Sequence, residues 1–464
     1  MNRQKAHRDH RIVPLLGINF VGTLGMSLVM PFLVILVERF GGNGVIYGIM
    51  AAVYPAFQLI GSPILGRWSD RLGRKPVLFL SQAGTTLAWV LFYLALLPRA
   101  VPLLRLESGL LGTFSVTVPL LLLFAARALD GLTGGNVSVA NAYLSDISTP
   151  STRSKNFGLL ALSSNFGFIV GPTLAGLLGA SALGVRLPVI AAFGISLVGL
   201  LLIGALLQEQ SRKKGGTSER GGPGDMESGV SDPSRQPRVH YCPQVGTTTL
   251  DDVEAVEGVA DPCESERGLS AILRIPKVPR FLILYFVLFL GFNIFYAVFP
   301  VHTLRAYEWS SAELGLFFST LSILMLLVQG PLMGFLSGRV GEVPLVVGGS
   351  ATLAVCFLVL IFGGPLLAFV AAALFSLGNG VMWPSFLSLL ASLVSEDLQG
   401  EVQGYGASAG SAASIIGLVA GGVLYEAIGS TTFALSAVAF LTAVVAGFLM
   451  PSSPGSATAS VTEA

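Results

Sequence analysis

Gly66-Arg-Trp-Ser-Asp-Arg-Leu-Gly-Arg-Lys-Pro76 is a short polar stretch between two apolar runs, residues 46–66 and 77–97. Each run matches the ~20 residues that carry a helix across a bilayer. The stretch therefore reads as a loop joining two membrane helices. Arg67, Arg71, Arg74 and Lys75 crowd into it, and short loops rich in Lys and Arg stay on the cytoplasmic side. A degraded copy follows later in the chain, Gly334-Phe-Leu-Ser-Gly-Arg-Val-Gly-Glu-Val-Pro344. Gly66, Ser69, Arg71, Gly73 and Pro76 match Gly334, Ser337, Arg339, Gly341 and Pro344 at one offset of 268, which Pro63 and Pro331 share. Copies in the same orientation imply a parallel repeat, two bundles related by an axis along the membrane normal, with a substrate site between them near mid-membrane.

The rest of the chain agrees with this reading. Of 464 residues, 53% are hydrophobic and 11% charged, with mean hydropathy +0.75. Soluble domains carry about 25% charged residues, so water is a poor solvent for this surface and lipid a good one. Apolar runs long enough to span lie near 12–37, 46–66, 77–97, 116–145, 156–180, 187–207, 281–301, 313–336, 343–362, 366–394, 404–427 and 432–450. The fold class expected is an all-α membrane protein of twelve transmembrane helices in two six-helix bundles. Residues 1–207 form the first bundle. Residues 208–268, rich in Gly, Ser, Pro and charge, read as a disordered linker. Residues 269–450 form the second bundle, opened by a short interfacial helix over 269–280 in which Arg274, Lys277 and Arg280 flank apolar positions. A tail, 451–464, is expected to be disordered. The basic start (Arg3, Lys5, Arg8, Arg11), the loop above, and Arg153 with Lys155 place both termini and the linker in the cytoplasm of a cell-membrane protein.

Several function classes find no support. Net charge is +1, which leaves no electrostatic footprint for nucleic acid. Cys242, Cys263 and Cys356 form no ligand cluster, and His7, His10, His240 and His302 make no H-x-x-x-H pair, so neither metal nor cofactor is expected. A membrane enzyme would want HExxH or DDxxD, both absent. A receptor has only the linker in its favour. Asn136-Val-Ser138 fits a glycosylation sequon but falls inside a membrane helix.

Within the fourth run stands Arg127-Ala-Leu-Asp130-Gly131-Leu-Thr-Gly134-Gly135-Asn136. Arg127 lies about ten residues, roughly 15 Å, into the span. A charge at that depth is costly unless paired, and usually serves function. Asp130, three residues on, shares its face. The arginine favours the charged carboxylate and apolar surroundings favour the neutral acid. Polar and aromatic residues in other spans are candidate cavity walls: Asn19, Tyr54, Gln58, Asn165, Asn293, Tyr296, Gln329, Asn379 and Trp383. They carry no charge, which suits neutral or weakly cationic amphipathic compounds better than phosphates. Each serves equally well as a helix–helix hydrogen bond.

Gly66-x-Trp-Ser-Asp70-Arg71-x-Gly73-Arg74-Lys75 resembles the loop signature of the major facilitator superfamily, and the resemblance covers nearly all the chain outside the linker. It implies a cytoplasmic gate built from Gly66, Asp70, Arg71, Gly73, Arg74 and Lys75, joined by Asp146 and Arg153 at the end of helix four. The glycines would allow a tight turn and close helix approach, and Asp70 would accept from a helix N-terminus across the bundle interface. The second copy has Gly338 in place of Asp70. Arg127 resembles the family's helix-four arginine, which implies proton coupling through Arg127 and Asp130. Gly167-Phe-Ile-Val-Gly171-Pro172-Thr-Leu-Ala-Gly176 resembles the helix-five motif of its proton-driven antiporters. Together these are similar to the drug–proton antiporter branch that includes tetracycline exporters. One departure stands out: relatives often carry an aspartate in helix one where this chain has Gly22, before Gly25 and Pro31. The expectation is a monomeric, proton-coupled exporter with a small-molecule substrate, protons and the lipid bilayer as partners. A proton-linked or facilitative carrier for a sugar or other metabolite is the alternative.

Overall fold

Helices in this chain stop where backbone chemistry stops them. In a computed structural model, which describes residues 2–109, 111–134, 136–148, 150–207, 269–336, 339–394 and 398–448, α1 (Asn2–Leu28) gives way to α2 (Met30–Arg39) just before Pro31. Proline lacks the N–H an unbroken helix would need, and fits the first turn of a new one. Next come α3 (Gly44–Leu72) and α4 (Arg74–Ala95), separated by Gly73. The span expected at 116–145 begins instead with a strand. β1 (Pro102–Ser108) and β2 (Gly112–Thr117) form an antiparallel hairpin that pairs Leu104 with Val116 and Leu106 with Phe114. The expectation of an all-α chain did not include this hairpin, whose alternating apolar residues suit a strand. It is pinned to the α2–α3 turn: Ser115 N–H donates to the Gly41 carbonyl at 2.8 Å, and Thr117 Oγ1 to the Phe40 carbonyl at 2.7 Å.

The remainder of that span is two helices, α5 (Val118–Thr133) and α6 (Asn136–Ile147), broken at Gly134 in a glycine-rich stretch of low helix propensity. Then come α7 (Pro150–Gly179), α8 (Arg186–Leu206), the short α9 (Leu269–Arg274) and α10 (Val278–Ala306). α11 (Ser311–Leu327) runs through a π-helical turn at Val328–Leu332 into α12 (Met333–Leu336). α13 (Glu342–Ile361), α14 (Pro365–Ser392), α15 (Gln399–Ile428) and α16 (Phe433–Phe448) complete the chain. The linker 208–268, the tail 451–464, Ser337 and Gly338 lie outside the described residues.

Nine segments among the described residues are long and apolar enough to cross a membrane, and one of them, Val402–Phe448, contains both α16 and most of α15. Leu366, Phe448 and Leu177 are 78%, 77% and 71% exposed. Large apolar patches of this kind belong against lipid. The most apolar span, Arg186–Leu206 at mean hydropathy 2.6, is also the least buried at 28%, as a lipid-facing helix should be.

Two compact units separate: Met1–Gln210 with Arg280–Ala464, and Ser211–Pro279. The described part of the second is α9, the turn after it and the first two residues of α10. In the first unit, the halves before and after the linker meet through α3 with α15 and α7 with α11. Glycine makes both seams. A Cβ on Gly176 would lie 2.8 Å from the Gly315 Cα, and one on Gly422 2.7 Å from the Gly44 carbonyl oxygen, so only hydrogen fits there. The same two helices pack within their own halves through glycine as well: Gly167 and Gly171 of α7 against α1, and Gly417 and Gly421 of α15 against α10.

Candidate functional site

α5 brings Arg127 and Asp130 into the interior of the first half, with side chains 3% and 10% exposed. Their closest atoms, Nη1 and Oδ2, are 3.6 Å apart, an ion-pair distance too long for a hydrogen bond. Thr85 of α4 lies beside Asp130. The Arg127 guanidinium lies over the Tyr54 ring of α3, 4.8 Å from its centroid, a favourable cation–π geometry. Gly131 permits this closeness, because a Cβ there would meet the Tyr54 carbonyl and the Phe57 side chain. Among the described residues, Arg127 Nε and Nη1 have no hydrogen-bond acceptor. The carboxylate thus has a near cation as neighbour, with room for its charge state to change without breaking a tight bidentate pair.

A cavity of about 50 Å³ touches Asp130, Asn19, Tyr54, Thr85 and Trp89. It has space for a few waters and is far below the roughly 300–1,000 Å³ of a drug-sized site. The structure therefore brings Asn19 and Tyr54 together with Asp130. Asn19 also ties α1 to α7, its Nδ2 donating to Ser164 Oγ at 2.7 Å and to the Leu160 carbonyl at 3.1 Å. Gln58 Nε2 donates to the Gly134 carbonyl at 2.9 Å, bracing the α5–α6 break. The second-half residues lie elsewhere. Asn293 bonds its own helix at the Phe289 carbonyl, 2.8 Å away, and Asn379 Nδ2 reaches Met325 Sδ at 3.6 Å. Tyr296 packs on the seam formed by Ala51, Ala52, Ala297 and Leu418. Trp383 stands edge-on to Tyr285 and Phe289. Gln329 falls in the π-helical turn, and the Asn165 side chain lies outside the described residues.

At the α3–α4 loop, Gly73 adopts φ +101° and ψ +159°, a region essentially restricted to glycine. This places Arg74 to donate at once to Asp70 Oδ1 (2.6 Å), Ser69 Oγ (2.7 Å) and Asp146 Oδ2 (2.9 Å). Lys75 Nζ donates to the Gly204 carbonyl at 2.9 Å. The loop groups make local bonds in this structure. Asp70 pairs with Arg74 one turn on rather than with a helix N-terminus of the other half, because Gly73 turns Arg74 back towards it. Asp146 takes Arg74 as its partner, and the Arg153 side chain lies outside the described residues. Among the described residues, nothing lies within 4 Å of a Cβ added at Gly66. Arg71 is exposed. Among the described residues, these loop groups bond only within the first half.

In α7, Gly167 and Gly171 receive α1, and Ser27 Oγ donates to the Gly167 carbonyl at 2.9 Å. Pro172 is inside the helix and Gly176 meets α11. One helix thus touches both halves.

The sequence matches the family model described as Major Facilitator Superfamily over residues 15–257 and 281–464. The chain belongs to the Major Facilitator Superfamily. It is a multi-pass integral membrane transporter of small molecules, not an enzyme. This superfamily member is 27% identical over 428 residues to tetracycline resistance protein, class C, of Escherichia coli, covering 91% of each chain. It is 31% identical over 193 residues to multidrug resistance protein 1 of Bacillus subtilis (strain 168), covering 42% of this chain and 44% of that one. Among solved structures, a D-xylose–proton symporter superposes with TM-score 0.68 at 13% identity, covering 96% of this chain and 97% of that one. The human organic anion transporter MFSD10 superposes with TM-score 0.61 at 18% identity, covering 95% and 99%. These likenesses give the superfamily fold.

One cluster in this superfamily member escaped the sequence reading. Glu38 of α2, Arg305 of α10 and Glu426 of α15 meet at the hairpin end, with Arg305 bonded to both acids. Each stands near a helix end, where a lone charge reads as a solvated terminus. The available signal was that opposite charges end helices in opposite halves.

Proposed function

We propose that this transporter exports small amphipathic compounds in exchange for protons. The observation that carries the reading is the buried Arg127–Asp130 pair beside a small polar cavity. An acid at such depth is costly to keep unless it serves function. Similarity to tetracycline resistance proteins over nine-tenths of the chain supports drug export. The uncharged residues of both halves favour amphipathic substrates over phosphates.

The chain works as a monomer in the cell membrane with both termini inside. Twelve spans form two six-helix bundles, 1–207 and 269–450, joined by the 208–268 linker. Nine apolar segments support that number, one of them holding two helices, with α1 and the α5–α6 pair supplying the others. The doubled glycine seams of α7 and α15 support the repeat. Contacts between halves near Gly44 and Gly176, with loop residues bonding only within the first half among the described residues, support a cytoplasm-facing state. On this reading Asp70, Arg71, Arg74, Lys75, Asp146 and Arg153 close the inner gate when the transporter turns outward.

The test is flux of tetracycline into proteoliposomes with and without an imposed ΔpH. Accumulation driven by ΔpH, and abolished by a protonophore, is expected. Equal flux with and without the gradient would instead indicate a facilitative carrier.

A further inference from the structure

Four helices converge at the hairpin end of the molecule. Arg305 Nε donates to Glu38 Oε1 at 2.9 Å and Arg305 Nη1 to Glu426 Oε1 at 2.8 Å. The same Glu426 oxygen accepts from the Gly44 backbone N–H at 2.9 Å, so it also caps the start of α3, where a carboxylate is favoured. Glu38 and Gly44 belong to the first half, Arg305 and Glu426 to the second. The three side chains are only 26–36% exposed, and charge-assisted bonds of this kind are among the stronger ones. Below them the seam turns dry: Gly48 meets Gly422 and the Leu418 carbonyl, then Ala51 and Ala52 meet Ala297 and Leu418. A charged layer thus sits over an apolar plug at one end. At the other end, the comparable charges of Arg74 bond only within the first half among the described residues.

We propose that Glu38, Arg305 and Glu426 form an outer latch, with Arg305 the shared pin, that holds the path closed towards the outside while the inner side is open. This rests on the alternating-access reading and on its orientation. Outward opening must part Glu38 and Gly44 from Arg305 and Glu426, so loss of the pin shifts the population towards the outward-open state.

The test is accessibility of Ala52→Cys, at the apolar plug, in the full chain with Cys242→Ser and Cys263→Ser. A membrane-impermeant maleimide is applied to whole cells and to inverted vesicles. The assay needs neither substrate nor gradient, so its failure is separable from failure of proton-driven export. Arg305→Ala is expected to raise labelling from outside by at least ~10-fold, the shift expected when two charge-assisted bonds stop favouring one state. Glu38→Gln and Glu426→Gln, milder changes that retain hydrogen bonding, should each give a smaller rise. Neither should add to Arg305→Ala, because both act through the same pin. Labelling unchanged from both sides in well-folded Arg305→Ala protein, or full additivity of the acid variants on it, would overturn the latch. A rise seen only in inverted vesicles would keep the latch and overturn the orientation.

Discussion

Gly73 sits at φ +101° and ψ +159°, and any side chain there costs about 1–3 kcal/mol. Its conformation sets where Arg74 points, so Gly73→Ala should release Arg74 from Asp70 and Asp146 as well as strain the loop. A thermal-shift measurement in detergent should show a lower Tm, while the same change at Gly66, which has open space around it, should leave Tm nearly unmoved. Equal losses at both glycines would contradict this account of the loop. The Arg127–Asp130 pair was legible in sequence because three residues on a helix fix one face. The partners of Asp70 and Asp146 were not. Their choice depends on one backbone dihedral at Gly73, and a glycine in a sequence does not announce which φ it takes. The Glu38–Arg305–Glu426 cluster was hidden for another reason: its members are 121 and 267 residues from Arg305 along the chain, and no local pattern links them.

α7 shows how an element can serve two neighbours. Gly167 and Gly171 lie against α1, Gly176 against α11. A side chain at Gly171 would run into Ser27 Oγ and the Leu24 carbonyl, whereas Gly194 of α8 has nothing within 4 Å of an added Cβ. Gly171→Leu should therefore lower the monodisperse yield and Tm sharply, since overpacking costs about 1–3 kcal/mol or more. Gly194→Leu should be close to neutral, and similar damage from both would mean that α1–α7 packing is not what Gly171 supports. Most elements were legible because a membrane helix must be long, apolar and internally hydrogen-bonded. The breaks were less so. The run at 12–37 read as one span and is two helices, because Pro31 interrupts it. The run at 116–145 hid a strand end and a glycine break. The hairpin at 102–117 falls in a gap between spans, where hydropathy has nothing to report, and it is pairing across the turn that makes it ordered.

At the scale of the whole molecule, charge is arranged unequally. Charges bind the two halves together at the hairpin end, while at the loop end Asp70, Arg74 and Asp146 bond one another within the first half. An alternating-access cycle must trade one arrangement for the other, and a proton-driven cycle needs an acid whose charge changes with the state. Asp130 has the required setting: buried, near but not locked to Arg127, beside Thr85, and open to a small polar cavity. The apolar run 12–37 offers no acid to share the task. The most direct measurement compares Asp130→Asn with wild type in proteoliposomes, following both ΔpH-driven accumulation and downhill exchange. Asn keeps the size and hydrogen bonding but cannot titrate. Accumulation should vanish while downhill exchange continues near the wild-type rate. An Asp130→Asn protein that still concentrates substrate at the wild-type rate would contradict the account and place the proton pathway elsewhere.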